Sequence, residues 1–323
     1  MNIIRKIFGK RSVPFSKFIH ICWALLFPKW YVKYLYKRIV NKKLSLKDPK
    51  DYNEKIQWLK IYSDTSLWTP LADKYKVRDY VTQCGLGDIL VKLYGVWESA
   101  DEIDFSGLPD KFVLKTNHGY GRVLLVEDKN KLDFVETRTQ LNNWVNERYG
   151  MISFEPHYWN IHRRIIAEEY LEDKYNAEIS SSLIDYKFFC FHGEPYIIIA
   201  MYDRKNPTLG SAVDTDGPRV KKEAFDIHWN SRTDVYAHRT DNYPPIVPKP
   251  SRLDEMLEIC RTLSKSFPQV RVDLYEVNKK VYFGEITFTS GGGMQYFTPE
   301  SFLEMGKKMD LSKVKQRTKR CIV

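Results

Sequence analysis

A chain of 323 residues with 43% hydrophobic and 28% charged side chains can bury a sizeable core, which excludes global disorder. Its net charge of +10 is unevenly placed: residues 1–50 hold 13 Lys/Arg and one acid, while the remaining 273 hold 38 bases and 40 acids. A near-neutral body excludes the positive face expected of a nucleic-acid-binding fold.

The basic stretch contains FSKFIHICWALLFPKWYVKYLYKRIVNKK (15–43), in which an apolar run from Phe18 to Phe27 is too short to span a bilayer. No small-residue cleavage site follows it, so a signal peptide does not fit. One expectation is an interfacial arm, with Trp23, Phe27, Trp30 and Tyr34 at the acyl boundary and lysines on anionic headgroups. The alternative is a helical arm packed on its own body with a solvated basic face. The five cysteines, at 22, 84, 190, 260 and 321, have neither metal-ligand nor redox spacing, which predicts reduced thiols in a cytoplasmic protein and no zinc site.

Beyond the arm, LSLKDPKDYNEKIQWLKIY (44–62) predicts a Pro-containing turn and an amphipathic helix, and LADKYKVRDYVTQCGLGDIL (71–90) a second helix capped at Gly85. FVLKT (112–116) and RVLLVE (122–127) read as strands, 131–148 as a helix and RRIIAEEYL (163–171) as another strand. DYKFFCFHGEPYIIIAMYD (185–203) predicts a hairpin, 204–250 mostly loop, and SRLDEMLEICRTLSKSF (251–267) a helix with Ser251 as N-cap. Strands and helices mixed without strict alternation predict α+β lobes.

RVDLYEVNKKVYFGEIT (271–287) predicts two strands around a polar turn. Alternate strand residues share a face, so Arg271 pairs in direction with Asp273, and Glu285 with Thr287. A three-residue loop at Asn278–Lys280 sets Asp273 opposite Glu285 and Arg271 opposite Thr287, whereas a two-residue loop turns Glu285 to the other face. Two facing carboxylates, with Cβ atoms about 5 Å apart, need a compensating charge. Mg²⁺ supplies one, since it takes one or two carboxylates together with phosphate oxygens. The plainer alternative is that Arg271 neutralises Asp273 on a solvated sheet face.

FVLKTNHGYGR (112–122) delivers Lys115 on an apolar strand, followed by a loop in which Gly119 and Gly121 let backbone N–H groups approach a phosphate. Its spacing is neither a P-loop nor a dinucleotide fingerprint, and a tight hairpin with an exposed lysine is the commoner meaning of such a string. Lys187, in the otherwise apolar DYKFFCF, adds a basic group that is costly to bury unpaired.

Arg271-x-Asp273 followed by Glu285-x-Thr287 and SGGGM resembles the metal-binding hairpin of ATP-grasp ligases such as D-alanine–D-alanine ligases. Five blocks in order, DPKDYNEKIQWLK, LADKYKVRDYV, FVLKTNHGYG, DYKFFCFHGEP and VRVDLYEVNKKVYFGEITFTSGGG, are similar to the TupA-like ATP-grasp family linked to bacterial surface-polysaccharide and teichuronopeptide synthesis. The resemblance covers about residues 45–311 and leaves most of the arm outside it.

That resemblance implies an α+β ATP-grasp fold whose two lobes enclose Mg·ATP, divided as an arm (1–43), a helical region (44–106), a small lobe with a glycine-containing lid (107–171) and a large lobe (172–323). It implies ATP and Mg²⁺ as cofactors and amide formation through an acylphosphate. ATP-binding roles fall on Arg78, Lys115, His118, Gly119, Gly121 and Lys187, with Glu168, Glu169, Tyr170 and Leu171 as the adenine hinge. Asp273, Glu285 and Thr287 would hold the metal, and Arg271 and Lys187 would act on the transferring phosphoryl group. Thr287 replaces the Asn of many such enzymes and is the weaker donor. A uronic acid or acidic peptide carboxylate and an amino acid amine are the implied substrates, handled in the cytoplasm or on the inner membrane face. The rival enzyme class is a metal-dependent glycosyltransferase built on Asp214-Thr215-Asp216, and the rival non-enzyme is a binding protein with a degenerate ATP site.

Overall fold

The structure is a computed structural model that describes residues 15–204, 220–236 and 246–317. The Asp214-Thr215-Asp216 string lies outside the described residues.

Helices α1 (Phe15–Leu26) and α2 (Pro28–Val40) form the arm. Pro28 opens α2, where its missing N–H is no loss. Tyr31, Val32, Leu35 and Tyr36 are buried against Leu44, Ile61, Phe154 and Met294, and the Tyr31 hydroxyl donates to the Ile152 carbonyl at 2.7 Å. One face of the arm is therefore packed on the body. Among the described residues no helix is long and apolar enough to cross a membrane.

Helix α3 (Tyr52–Tyr62) starts at Asp51, whose carboxylate accepts the Glu54 N–H at 2.8 Å. The single helix expected over 71–90 is instead two, α4 (Trp68–Ala72) and α5 (Val77–Gln83). The Asp73 carboxylate accepts the N–H groups of Tyr75 and Lys76, offering the backbone an alternative to the helix at the break. Gly85 does take the left-handed conformation expected of it, with φ of 79°.

Strands β1 (Leu93–Trp97), β2 (Phe112–Thr116), β3 (Val123–Val126) and β4 (Ile165–Glu169) form an antiparallel sheet in the order β1-β4-β2-β3. Because β1 belongs to this sheet, the small lobe begins near residue 93, inside the stretch expected to be helical up to 106. The buried side of β2, with Phe112 and Leu114, packs with Leu124, Val126, Ile165 and Ala167 against Leu141, Trp144 and Val145 of α6 (Phe134–Val145). Alternation then sends Val113 and Lys115 to the opposite face.

The large sheet comprises β5 (Asp185–Phe191), β6 (Glu194–Tyr202), β7 (Lys221–Phe225), β8 (Val270–Val277) and β9 (Lys280–Thr287), antiparallel in the order β7-β6-β5-β8-β9. β7 is an edge strand within a stretch expected to be mostly loop. Helix α7 (Leu253–Ser264) covers the sheet with Met256, Leu257, Cys260 and Leu263, and α8 (Pro299–Lys308) closes the core beside α3. Ser251 does not cap α7: its hydroxyl donates to the Glu276 carboxylate. The α+β expectation is met, as two antiparallel lobes that each carry their own helices.

Candidate active site

The β8–β9 turn has two residues, Asn278 and Lys279, both left-handed with φ of 51° and 63°. A regular ladder from that turn would set Asp273 opposite Gly284. Instead the register shifts between Leu274 and Asp273, so that Gly284 is skipped and Asp273 lies opposite Glu285 and Arg271 opposite Thr287. The extra residue sits in a bulge beside the site and not in the turn. The expected facing is present, and the three-residue loop meant to produce it is not.

Arg271 ties this face together. Its guanidinium donates to both Asp273 oxygens at 2.6 and 2.7 Å, to Glu285 at 2.8 Å, to the Thr287 hydroxyl at 3.0 Å and to the Ser290 hydroxyl at 2.7 Å. Lys187, opposite Asp273 on β5, lies 2.5 Å from Asp273 and 2.7 Å from Asp185, which also accepts Arg204 at 2.9 Å. Burial works to raise the Glu285 pKa, but Lys74, Arg271 and Lys187 outweigh it and hold the carboxyl well below its usual range. The donor set fits a hard cation: two carboxylates and a hydroxyl share one face of the hairpin. Among the described residues no group of three or more His, Cys, Asp or Glu is placed to hold a metal. A cation here would complete its shell with phosphate and water oxygens, as Mg²⁺ does.

Between the sheets lies a cavity of about 1660 Å³ lined by both of these faces. From the small lobe Lys115 reaches Glu168 at 2.5 Å, and Arg78 lies 3.7 Å from the same carboxylate. Lys115, Glu168, Glu169, Tyr170 and Leu171 line the cavity; Arg78 is not among its lining residues. Lys74, four residues earlier and not among the residues picked out from the sequence, does line it. Its ammonium donates to the Gly119 carbonyl at 2.6 Å and lies 3.6 Å from Glu285, spanning from the Gly119 loop to the hairpin. Burial lowers the Lys74 pKa even though Glu285 opposes the effect. The break at Asp73 is what turns Lys74 inward, and that side-chain competition is the signal that could have found it.

Gly119 and Gly121 both have φ of 72°, and a Cβ at Gly119 would lie 2.7 Å from the Tyr149 ring. His118 turns its ring away from this cavity. Its Nε2 lies 3.0 Å from the Glu147 carbonyl in a neighbouring cavity of about 460 Å³, and burial pushes its pKa down to about 4. A nucleotide contact through that ring does not fit the geometry.

Behind the hairpin, Gly291, Gly292 and Gly293 are all left-handed. Helix α3 holds them from below: Gln57 donates to the Gly292 and Gly293 carbonyls at 2.9 Å, and the fully buried Lys60 donates to Gly292 and Ser153 at 2.9 Å. Burial lowers the Lys60 pKa to about 8.

A lysine on the cavity face of one sheet and paired carboxylates on another, lining one cavity, are the arrangement of ATP-grasp ligases, which join a carboxylate to an amine and release ADP. Within that class the chain belongs to the TupA-like ATP-grasp family, whose model matches residues 54–309. Solved structures of low identity are similar to it. A D-alanine–D-alanine ligase from Bacillus anthracis shares 13% identity over 81% of this chain and 76% of its own, with a TM-score of 0.47. An L-amino acid ligase from Bacillus licheniformis shares 14% over 70% of this chain, with a TM-score of 0.42, and this chain spans only 46% of its length. A D-cycloserine synthetase shares 11% over 89% and 79%, with a TM-score of 0.44. Among curated proteins no match is found.

Proposed function

We propose that this ligase joins an amino acid amine to the carboxylate of a uronic acid or acidic peptide during surface-polysaccharide synthesis. The observation that carries the chemistry is the reach of Arg271, which binds Asp273 and Glu285 at one end and Ser290 of the glycine loop at the other. A single guanidinium therefore spans the carboxylates and the loop where an acyl group would sit.

In this reading ATP gives its terminal phosphoryl group to the substrate carboxylate, the amine attacks the acylphosphate carbonyl, and phosphate leaves. Lys74, Lys115 and Lys187 would face the phosphates, and Arg271 would offset the negative charge that grows on the acyl oxygen. Asp273 and Glu285, with Thr287 as a weaker donor, would hold Mg²⁺, which when bound neutralises charge between the outer phosphates. Glu169, Tyr170 and Leu171 would receive adenine beside the apolar wall formed by Val113, Val123 and Leu125. Tyr120 and Tyr296 line the cavity and are exposed, offering flat faces to a sugar ring. In this reading the enzyme would meet these substrates in the cytoplasm or at the inner face of the membrane.

Thermal shift tests the nucleotide reading. Mg·ATP is expected to raise the melting temperature of the wild type and not of Asp273→Asn/Glu285→Gln. Protection by Mg·UDP-sugars and not by Mg·ATP overturns it in favour of the Asp214-Thr215-Asp216 glycosyltransferase. ADP release that requires both a uronic acid and an amino acid tests the substrate class.

A further inference from the structure

We infer that the arm is a docking surface for an anionic lipid bilayer, with the corner between α1 and α2 as its point of insertion. The packed face of α2 is used up on the body, yet the corner leaves Leu26 71%, Phe27 57% and Trp30 71% exposed. Such a cluster of large apolar groups on a soluble surface marks an interaction site. Trp23 and Tyr34, also expected at the acyl boundary, instead pack on one another with ring centroids 4.8 Å apart.

The occupant follows from charge. Residues 15–43 contain seven Lys/Arg and no Asp or Glu. Lys33 and Lys37 follow Phe27 and Trp30 along α2 at helical spacing and are exposed, so an apolar tip is continuous with a basic stripe. That order, aromatic residues first and lysines behind, matches the depth profile of an acyl boundary beneath anionic headgroups. A second copy of the chain would set this basic stripe against its like, which disfavours self-association through the same face. Ile39, at the far end of α2, is exposed and lines the substrate cavity. A chain seated by this corner therefore holds its cleft beside the lipid surface.

The test is co-sedimentation of the full chain with vesicles of phosphatidylcholine alone and of phosphatidylcholine mixed with phosphatidylglycerol. Binding is expected to the mixed vesicles only and to weaken as salt is added. Phe27→Ser/Trp30→Ser is expected to lower that binding about tenfold or more, and Lys33→Glu/Lys37→Glu by about tenfold or more. All four side chains are exposed, so unchanged melting temperatures are the control for folding. Absence of wild-type binding to mixed vesicles, equal binding to both kinds, or binding unchanged in both variants overturns the proposal. So does a dimer that Phe27→Ser/Trp30→Ser dissociates in the absence of vesicle binding. Mg·ATP protection is read separately on the same proteins, so failure of the ligase reading shows in that assay alone.

Discussion

Asp273 and Glu285 oppose each other across a hairpin whose turn is one residue too short to put them there, because Gly284 supplies the missing residue as a bulge. The bulge lies between the turn and the site. A Cβ at Gly284 would lie 2.9 Å from the Tyr275 ring and 3.0 Å from the Asp273 carbonyl. Gly284→Val is expected to destabilise the fold by about 1–3 kcal/mol and to abolish Mg·ATP protection by displacing Glu285. Deleting Gly284 makes the ladder regular and keeps the two carboxylates facing, so protection should survive deletion better than substitution. Thermal shift of both variants with Mg·ATP checks this.

Arg271 is the main neutralising group for a pair of like charges. Arg271→Met leaves Asp273 and Glu285 facing with less compensation, and a loss of about 3–5 kcal/mol is expected. Added Mg²⁺ should restore part of it, so the melting temperature of the variant should rise more with Mg²⁺ than that of the wild type. An equal response in the two proteins would show that the carboxylates do not form a cation site.

Lys74 faces the cavity, whereas Arg78 sits behind it on Glu168. Lys74→Met is expected to weaken Mg·ATP binding about tenfold or more, the scale of a charge-assisted hydrogen bond. Arg78→Met should have a smaller effect, transmitted through the Glu168 carboxylate that it shares with Lys115. Isothermal titration with Mg·ATP ranks the two.

His157 sets an acid limit. It is 1% exposed, neither ring nitrogen has a hydrogen-bond partner, and its ring packs on Trp68 and Phe288. Burial pushes its pKa from 6.5 down to about 3. The unfolded chain takes up the proton as pH falls through 6.5 and the folded chain resists until about 3, so stability declines across that window. The full loss is roughly 5 kcal/mol. His157→Phe should keep neutral-pH stability and flatten this decline, as measured by urea unfolding at several pH values.

Much of the site was legible because strand alternation is a strict rule. It demanded an odd residue between Asp273 and Glu285. What alternation does not reveal is where the odd residue sits, since a three-residue turn and a bulge meet the same parity. Lys74 and Arg78 were harder to rank. Both lie in a stretch with helical periodicity, and only the hydrogen bonds of Asp73 decide that the helix breaks between α4 and α5. The ring direction of His118 depends on a carbonyl 29 residues away, Glu147, and is invisible to local reading. β1 escaped notice because LYGVW is half-buried throughout and shows no alternation.

The buried face of α2 bears on any attempt to work with a shortened protein. The region that matches the family begins at residue 54, which invites removal of everything before it. Yet Tyr31, Leu35 and Tyr36 cover Ile61, Phe154 and Met294, and Met294 also lines the cavity. Trimming to the family boundary would strip the support behind one wall of the cavity and uncover a sticky apolar surface. A trimmed enzyme that proved inactive or aggregated would report on the missing cover, and its silence should not be taken as evidence about the chemistry.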